Sequence, residues 1–135
     1  MLNRYREDED KQQNGSPWYS GDTTIFCRRS GTPEAKRVMK ELRDQLFGPL
    51  HKWTAQDDSV LLAHFLVEYG VCGWENVRET EKGEAIPYSK NAARMIFLNT
   101  EYFLSLNVEL FDFMSNFENY LFDAAEEDIE ALKKN

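Results

Sequence analysis

The sequence contains few residues of the kinds that build metal and redox sites. Its only cysteines, Cys27 and Cys72, are isolated from each other and from any C-x-x-C spacing. Such cysteines are typically small, buried hydrophobic residues. Its only histidines are His51 and His64, and although His64 and Glu68 would share a helix face, no third ligand accompanies them. A hydrogen-bonded core histidine is the commoner arrangement, so we expect no metal site and no cofactor.

The sequence also lacks catalytic motifs. It has no Gly-rich phosphate loop and no G-x-S-x-G elbow. Two groups of adjacent acids, Asp57-Asp58 and Glu126-Glu127-Asp128, would diverge on a helix and are typical of a solvated face. We expect no enzyme and no catalytic residues. An unrecognised active site around His64 remains the alternative.

Two further absences concern partners and location. The N-terminal residues, MLNRYREDED, lack the apolar core of a signal peptide, and every long apolar run is interrupted by polar residues. We therefore expect a cytosolic protein with no membrane contact. The net charge is −8, of which residues 101–135 contribute −7 through nine acids and two lysines. Nucleic-acid binding needs clustered cations, so no nucleic-acid partner is expected.

What is present is a hydrophobic composition sufficient for a core. Of the 135 residues 41% are hydrophobic, including nine Phe and three Trp, which indicates one folded domain spanning residues 1–135. Residues 1–14 are charged enough to form a loose tail. Residues 18–29 predict a short N-terminal strand or hairpin, because Thr23-Thr24-Ile25-Phe26 lies between Gly-containing turns.

Helix signals dominate the rest. Thr32-Pro33 predicts a helix start and Gly48-Pro49 its end, while Thr54 with Asp57 predicts a capping box for a helix extending to Gly70. Ser89 is a suitable N-cap for a further helix. From residue 101 onward there is neither Gly nor Pro, so we expect a long helix that either projects from the domain or breaks. Asp123 is the expected breakpoint, and residues 123–135 would then form a separate terminal helix. The predicted fold is mainly α, a small helical bundle.

Residues 74–88 predict a short central β-ribbon or an ordered loop between two of these helices. Val77 and Ile86 are the inward positions on either side of a turn at Gly83. Trp74 and Tyr88 can bury an apolar ring while keeping a polar group for a hydrogen bond, so we interpret them as pinning this segment onto the helices.

The C-terminal segment carries two apolar rows at helical spacing, and two rows need two sets of packing partners. One row contains Phe103, Leu106, Leu110, Phe113, Phe117, Tyr120 and Ala124. The second row is the predicted partner-binding face, and it contains Leu104, Val108, Phe111, Met114, Leu121 and Phe122. Its alternative role is simple core packing.

The central residues resemble the signature of the tail assembly chaperones of long-tailed bacteriophages. The matching residues include an acidic helix entry at Gln56-Asp57-Asp58 before Leu61-Leu62. The structural signature proper consists of Gly73, Trp74, Val77, Gly83, Pro87, Tyr88 and Ser89, followed by Asn91-Ala92. The resemblance extends over residues 54–93.

This resemblance implies a small, mostly helical protein of the host cytoplasm. Members of the family bind the long tape measure protein, keep it soluble and help to recruit tail tube protein during virion morphogenesis. It implies binding without turnover, and self-association is an additional expectation for the second apolar row. The alternative function is an acidic phage-encoded inhibitor or adaptor that binds a host or defence protein, suggested by the acidic C-terminal third.

Overall fold

A computed structural model describes residues 2–122, which form a helix-rich fold with one small antiparallel sheet. The helices are α1 (Glu9–Asn14), α2 (Pro33–Phe47), α3 (Ala55–Phe65), α4 (Lys90–Phe97) and α5 (Thr100–Ser115). The strands are β1 (Ser16–Ser20), β2 (Thr23–Cys27) and β3 (Val71–Glu75). Short 3₁₀ helices cover Leu2–Tyr5 and Phe117–Tyr120, and a π-helical turn, Leu66–Gly70, follows α3 directly. The predicted helix-rich class is confirmed in this coarse form.

The predicted N-terminal hairpin is confirmed. β1 and β2 pair antiparallel from Ser16 opposite Cys27 to Ser20 opposite Thr23. Gly21 lies in the connecting turn with φ +60°, a backbone conformation that glycine adopts without steric cost. Ile25 and Cys27 point into the core, because alternate residues of β2 face the helices.

The prediction of a β-ribbon at 74–88 is wrong, and the ordered loop is what forms. The strand in this region, β3, pairs with β2 of the N-terminal hairpin, with Trp74 opposite Ile25, and the sheet order is β1-β2-β3. Residues 76–89 contain no strand. One backbone hydrogen bond, from Ile86 N to Val77 O at 2.7 Å, closes this loop without extending it into a ladder.

The predicted helix boundaries are confirmed where a residue close in sequence caps the end of the helix. The Thr32 side chain accepts a hydrogen bond from Ala35 N, and Pro33 occupies the first turn of α2, which ends at Gly48 with φ +74°. Thr54 N donates to the Asp57 carboxylate at 2.8 Å at the start of α3. These groups satisfy backbone donors and acceptors that a helix end leaves unpaired.

The core lies between the sheet and the helices α2 to α5. Its fully buried side chains come from β2, α3, the π-helical turn, β3, α4 and α5, and they include Cys27, Phe65, Leu66, Val71, Phe97, Leu110 and Met114. Phe65 packs edge-on against Phe111 of α5, with ring centroids 6.3 Å apart. Among the described residues, none of the helices combines the length and the apolar composition needed to cross a membrane.

Two predictions about the chain ends are corrected. The C-terminal helix ends at Ser115, not at Asp123, because Asn119 Nδ2 donates to Phe113 O and Asn116 caps the 3₁₀ turn that follows. Residues 7–14 are not a loose tail, since they contain α1 and pair with the segment after α5 through a bridge between Glu7 and Leu121. The predicted terminal helix at 123–135 lies outside the described residues.

Candidate partner-binding surface

The members of the predicted partner-binding row that lie in α5 differ in their exposure. Leu104 and Val108 are four residues apart and share a helix face, with 38% and 45% of their surface exposed. Phe111 is half-buried against α3. Met114 is fully buried, so its assignment to an exposed face is wrong. The reason is close packing, since a Cβ on Gly70 would lie 2.7 Å from Met114 Cε.

Leu121 and Phe122 are half-buried and contact the N-terminal segment. Lys11 Nζ donates to Leu121 O at 2.8 Å, and Phe122 N donates to Arg6 O at 3.0 Å. The Arg6 guanidinium lies 4.6 Å from the centroid of the Phe122 ring, within the range of a cation–π contact. Leu121 and Phe122, the last two members of the predicted row, are therefore already in contact with other parts of the same chain.

Large exposed apolar side chains concentrate on α4, α5 and the turn between them. We call this set the α4–α5 surface. It contains Met95, Leu98, Tyr102, Leu104 and Val108, of which Met95 and Tyr102 are exposed by about three quarters. Two members, Leu104 and Val108, come from the predicted row. The others were missed, although large apolar residues out of phase with the buried positions of their helices were a usable signal.

A buried hydrogen bond joins α4 to α5, and a side-chain cap fixes where α4 begins. Asn107 is fully buried, and its Nδ2 donates to Phe97 O at the end of α4 at 2.9 Å. Ser89 caps the start of α4 by accepting from Ala92 N at 3.0 Å. Phe103 departs from helical geometry with φ −116° and ψ 16°, which kinks the first turn of α5. The α4–α5 surface is thus presented by a positioned helix pair.

All the charged side chains of α5 are acidic. Its residues include three exposed acids, Glu101, Glu109 and Asp112, and no lysine or arginine. Exposed apolar side chains rimmed by carboxylates are typical of a protein-binding surface. Such a surface favours a partner helix that carries apolar residues flanked by cations.

The signature residues have structural roles. Trp74 is 7% exposed, and its indole Nε1 donates to Ile86 O at 2.6 Å. Its ring meets the rings of Tyr88 and Phe97 edge-on, at centroid distances of 5.0 and 6.1 Å. The Tyr88 hydroxyl donates to Val71 O at 3.2 Å. These contacts pin the 76–89 loop onto β3 and α4, which supports the interpretation drawn from the sequence.

The remaining signature positions shape the same loop. Gly73 lies in β3 opposite Phe26, and Gly83 N donates to Thr80 O at 3.0 Å to form the turn. Val77 is half-buried, whereas Pro87 is exposed just before the helix cap. No signature side chain other than Val77 reaches the apolar cleft described next.

A small apolar cleft of about 180 Å³ lies between the sheet, the 76–89 loop and the two helices that carry the α4–α5 surface. Its lining includes Trp18, Ile25, Ile86, Ile96, Phe103 and Leu106. The sequence did not predict this cleft, because its walls come from four separate segments.

Two of the acidic side chains in the described part of the chain have local partners. His51 Nε2 lies 2.7 Å from Asp57 Oδ2, and this hydrogen bond lowers the pKa of Asp57, as do the bonds from Thr54. Glu68 pairs with Lys90 at 3.1 Å, which directs its carboxylate to α4. Within residues 2–122, no group of three His, Cys, Asp or Glu side chains is placed to hold a metal ion.

Both cysteines are free thiols. Cys27 is fully buried, and burial, together with the neighbouring Cys72, raises its pKa to about 12. The pKa of Cys72 is also raised by burial. A thiol held neutral in this way behaves as a small hydrophobic residue and not as a nucleophile.

No protein-family model, no curated protein and no solved structure matches this chain.

Proposed function

We propose that this protein is a phage tail assembly chaperone that binds the tape measure protein through the α4–α5 surface. In this role it keeps the tape measure soluble and helps to recruit tail tube protein in the host cytoplasm. The function consists of binding and release, with no chemical turnover.

One observation carries the proposal: α5 presents exposed apolar residues beside three carboxylates and no cation. Leu104 and Val108 are half exposed, whereas the next residue of the same row, Phe111, packs on α3. Burying such side chains against a partner helix contributes roughly 25 cal/mol per Å² of apolar area. The acids keep the free protein in solution and oppose binding to other acidic surfaces.

The resemblance to the chaperone family supplies the identity of the partner. The residues that carry the resemblance hold the 76–89 loop against α4 and do not themselves form a binding surface. The loop can identify the family while a different surface binds the partner. It contributes to binding indirectly, because it holds in place α4, the helix that presents Met95.

The proposal predicts that co-expression raises the soluble fraction of the tape measure protein encoded in the same genome. Coding sequences for both proteins would be expressed together, and the soluble tape measure would be quantified after centrifugation. The control carries a stop codon early in the gene for this protein. We expect a several-fold rise and co-elution of the two proteins in size-exclusion chromatography.

A tape measure that stays insoluble and does not co-elute would overturn the proposal. The alternative function, an acidic inhibitor or adaptor, predicts that outcome together with binding to a basic host or defence protein. The two functions also differ in salt dependence. An interface built on apolar burial persists at high ionic strength, whereas one built on charge mimicry weakens steeply.

A further inference from the structure

The apolar cleft between the sheet, the 76–89 loop, α4 and α5 has the size of a site for an aromatic ring. Seven of the eleven described residues that line it are apolar, and two of these, Trp18 and Phe103, are aromatic. An apolar cavity of about 150 Å³ is large enough to bind benzene. The cleft measures about 180 Å³, so it has room for one phenyl ring.

The walls of the cleft are held in place by sheet pairing and by hydrogen bonds. Ile25 pairs with Trp18 on one side and with Trp74 on the other, so it lies in the central strand. Trp74 Nε1 donates to Ile86 O at 2.6 Å, and Ile86 N donates to Val77 O at 2.7 Å. Walls that are already ordered lose little entropy when a ligand arrives, which favours binding.

The cleft adjoins the α4–α5 surface. Met95 of that surface directly precedes Ile96, which lines the cleft, and Tyr102 directly precedes Phe103, which also lines it. A partner helix that covers Met95 and Tyr102 therefore lies beside the mouth of the cleft.

The charged residues around the cleft leave two acids without a cation. Arg78 is the one cation among the described residues that line it, and its guanidinium pairs with Asp22 at 3.4 Å. Glu79 also lines the cleft, and Glu109 lies one helical turn from Leu106 of its wall. Neither glutamate forms an ion pair within the described part of the chain. The mouth of the cleft thus favours an apolar side chain flanked by lysine or arginine.

We propose that the cleft receives one aromatic side chain of the partner helix that binds the α4–α5 surface. This placement rests on the proposed function and adds the residue that anchors the partner. Binding energy at protein interfaces concentrates in a few large side chains that fill well-packed pockets. Aromatic walls favour an aromatic ring over an aliphatic side chain, because ring pairs contribute beyond their buried area. The partner helix is expected to carry this residue with Lys or Arg one turn away.

A small aromatic probe tests the cleft without the partner. 4-Fluorotoluene would be titrated into the full-length protein and observed by fluorine NMR. We expect a saturable change in its signal, which Ile96→Trp abolishes because the larger side chain takes up the cleft. Leu50→Trp places the same side chain at a position that is 98% exposed, and it is expected to leave probe binding unchanged. A tape measure fragment fused to a soluble carrier is expected to displace the probe.

Affinity measurements identify the anchoring residue. Each aromatic residue of the fragment would be replaced by alanine, and its binding to the original protein and to Ile96→Trp would be compared by titration calorimetry. One replacement is expected to weaken binding to the original protein at least about tenfold. The same replacement is expected to weaken binding to Ile96→Trp by less than about twofold, because residues in contact are coupled. Val77→Phe is a second cleft-filling variant if Ile96→Trp does not fold.

Three results would contradict this placement, and they bear differently on the proposed function. A fragment that binds the original protein without displacing the probe, and whose alanine replacements act equally on both proteins, would overturn the placement and leave the proposed function standing. A folded original protein that does not bind the probe would do the same. A fragment that does not bind the original protein at all would overturn both.

Discussion

Trp74→Ala is expected to lower the free energy of unfolding by about 3–5 kcal/mol, the range for removing a buried large aromatic side chain. Trp74 is 7% exposed and packs edge-on against Tyr88 and Phe97. Removing the indole leaves a cavity between β3, α4 and the 76–89 loop, and it leaves Ile86 O without its donor. Urea unfolding followed by far-UV circular dichroism measures the change.

Trp74→Phe separates the contribution of ring packing from that of the hydrogen bond. It keeps an aromatic ring in the cavity but loses the N–H group, so a smaller loss of about 1–3 kcal/mol is expected. This variant also keeps the test informative if Trp74→Ala does not fold. A loss below about 1 kcal/mol for Trp74→Ala would contradict the structural role assigned to the signature.

Raising the pH above 9 is expected to destabilise the protein more steeply than ionisation of its exposed groups alone would. Burial raises the pKa of Cys27 to about 12 from an ordinary value of 9.0. Burial also raises the pKa of Tyr120, whose hydroxyl donates to Cys27 O at 2.9 Å. Both groups must stay neutral in the folded protein.

The direction in which stability changes with pH follows from proton linkage. Below pH 9 the Cys27 thiol is neutral in the folded and unfolded states, so its contribution is fully present. As the pH rises toward 12, the unfolded chain releases this proton while the folded chain holds it, and stability falls by about 1.4 kcal/mol per pH unit for each such group. Urea midpoints at pH 8, 9, 10 and 11 measure this slope.

The matched variants Cys27→Ala and Tyr120→Phe remove one titrating group each. Each variant is expected to be less stable at pH 8 because it loses buried contacts or a hydrogen bond, yet to show a shallower decline above pH 9. A double variant with the same slope as the original protein would show that other groups cause the alkaline loss.

Local chemistry explains which elements were predictable. Thr32-Pro33, Thr54 with Asp57, and Ser89 mark helix starts by hydrogen bonds within three residues, so the sequence alone locates α2, α3 and α4. The sequence predicted one strand or a hairpin at residues 18–29 from the turn residues on either side, and the two-residue turn between β1 and β2 is what makes it a hairpin.

Nonlocal pairing explains what the sequence missed. β3 pairs with β2, far away along the chain, and nothing near Trp74 distinguishes that pairing from a local ribbon. Similarly, two apolar rows on α5 gave no means to decide which one meets the core. Packing against Gly70 places Met114 inside, whereas Val108 of the same predicted row stays exposed.

The end of α5 was missed for a different reason. A helix can end without Gly or Pro, because asparagine side chains also satisfy backbone groups at helix ends. Asn116 and Asn119 carry out this role directly after Ser115.

The central claim, that the α4–α5 surface binds the tape measure protein, is tested most directly by affinity. Titration calorimetry would compare the original protein, Val108→Asp and Tyr19→Asp against a tape measure fragment fused to a soluble carrier. Val108 lies on the surface, and Tyr19 is an exposed apolar residue of β1 outside it. We predict at least about tenfold weaker binding for Val108→Asp and a change within about twofold for Tyr19→Asp. Unchanged affinity for a folded Val108→Asp variant would contradict the claim.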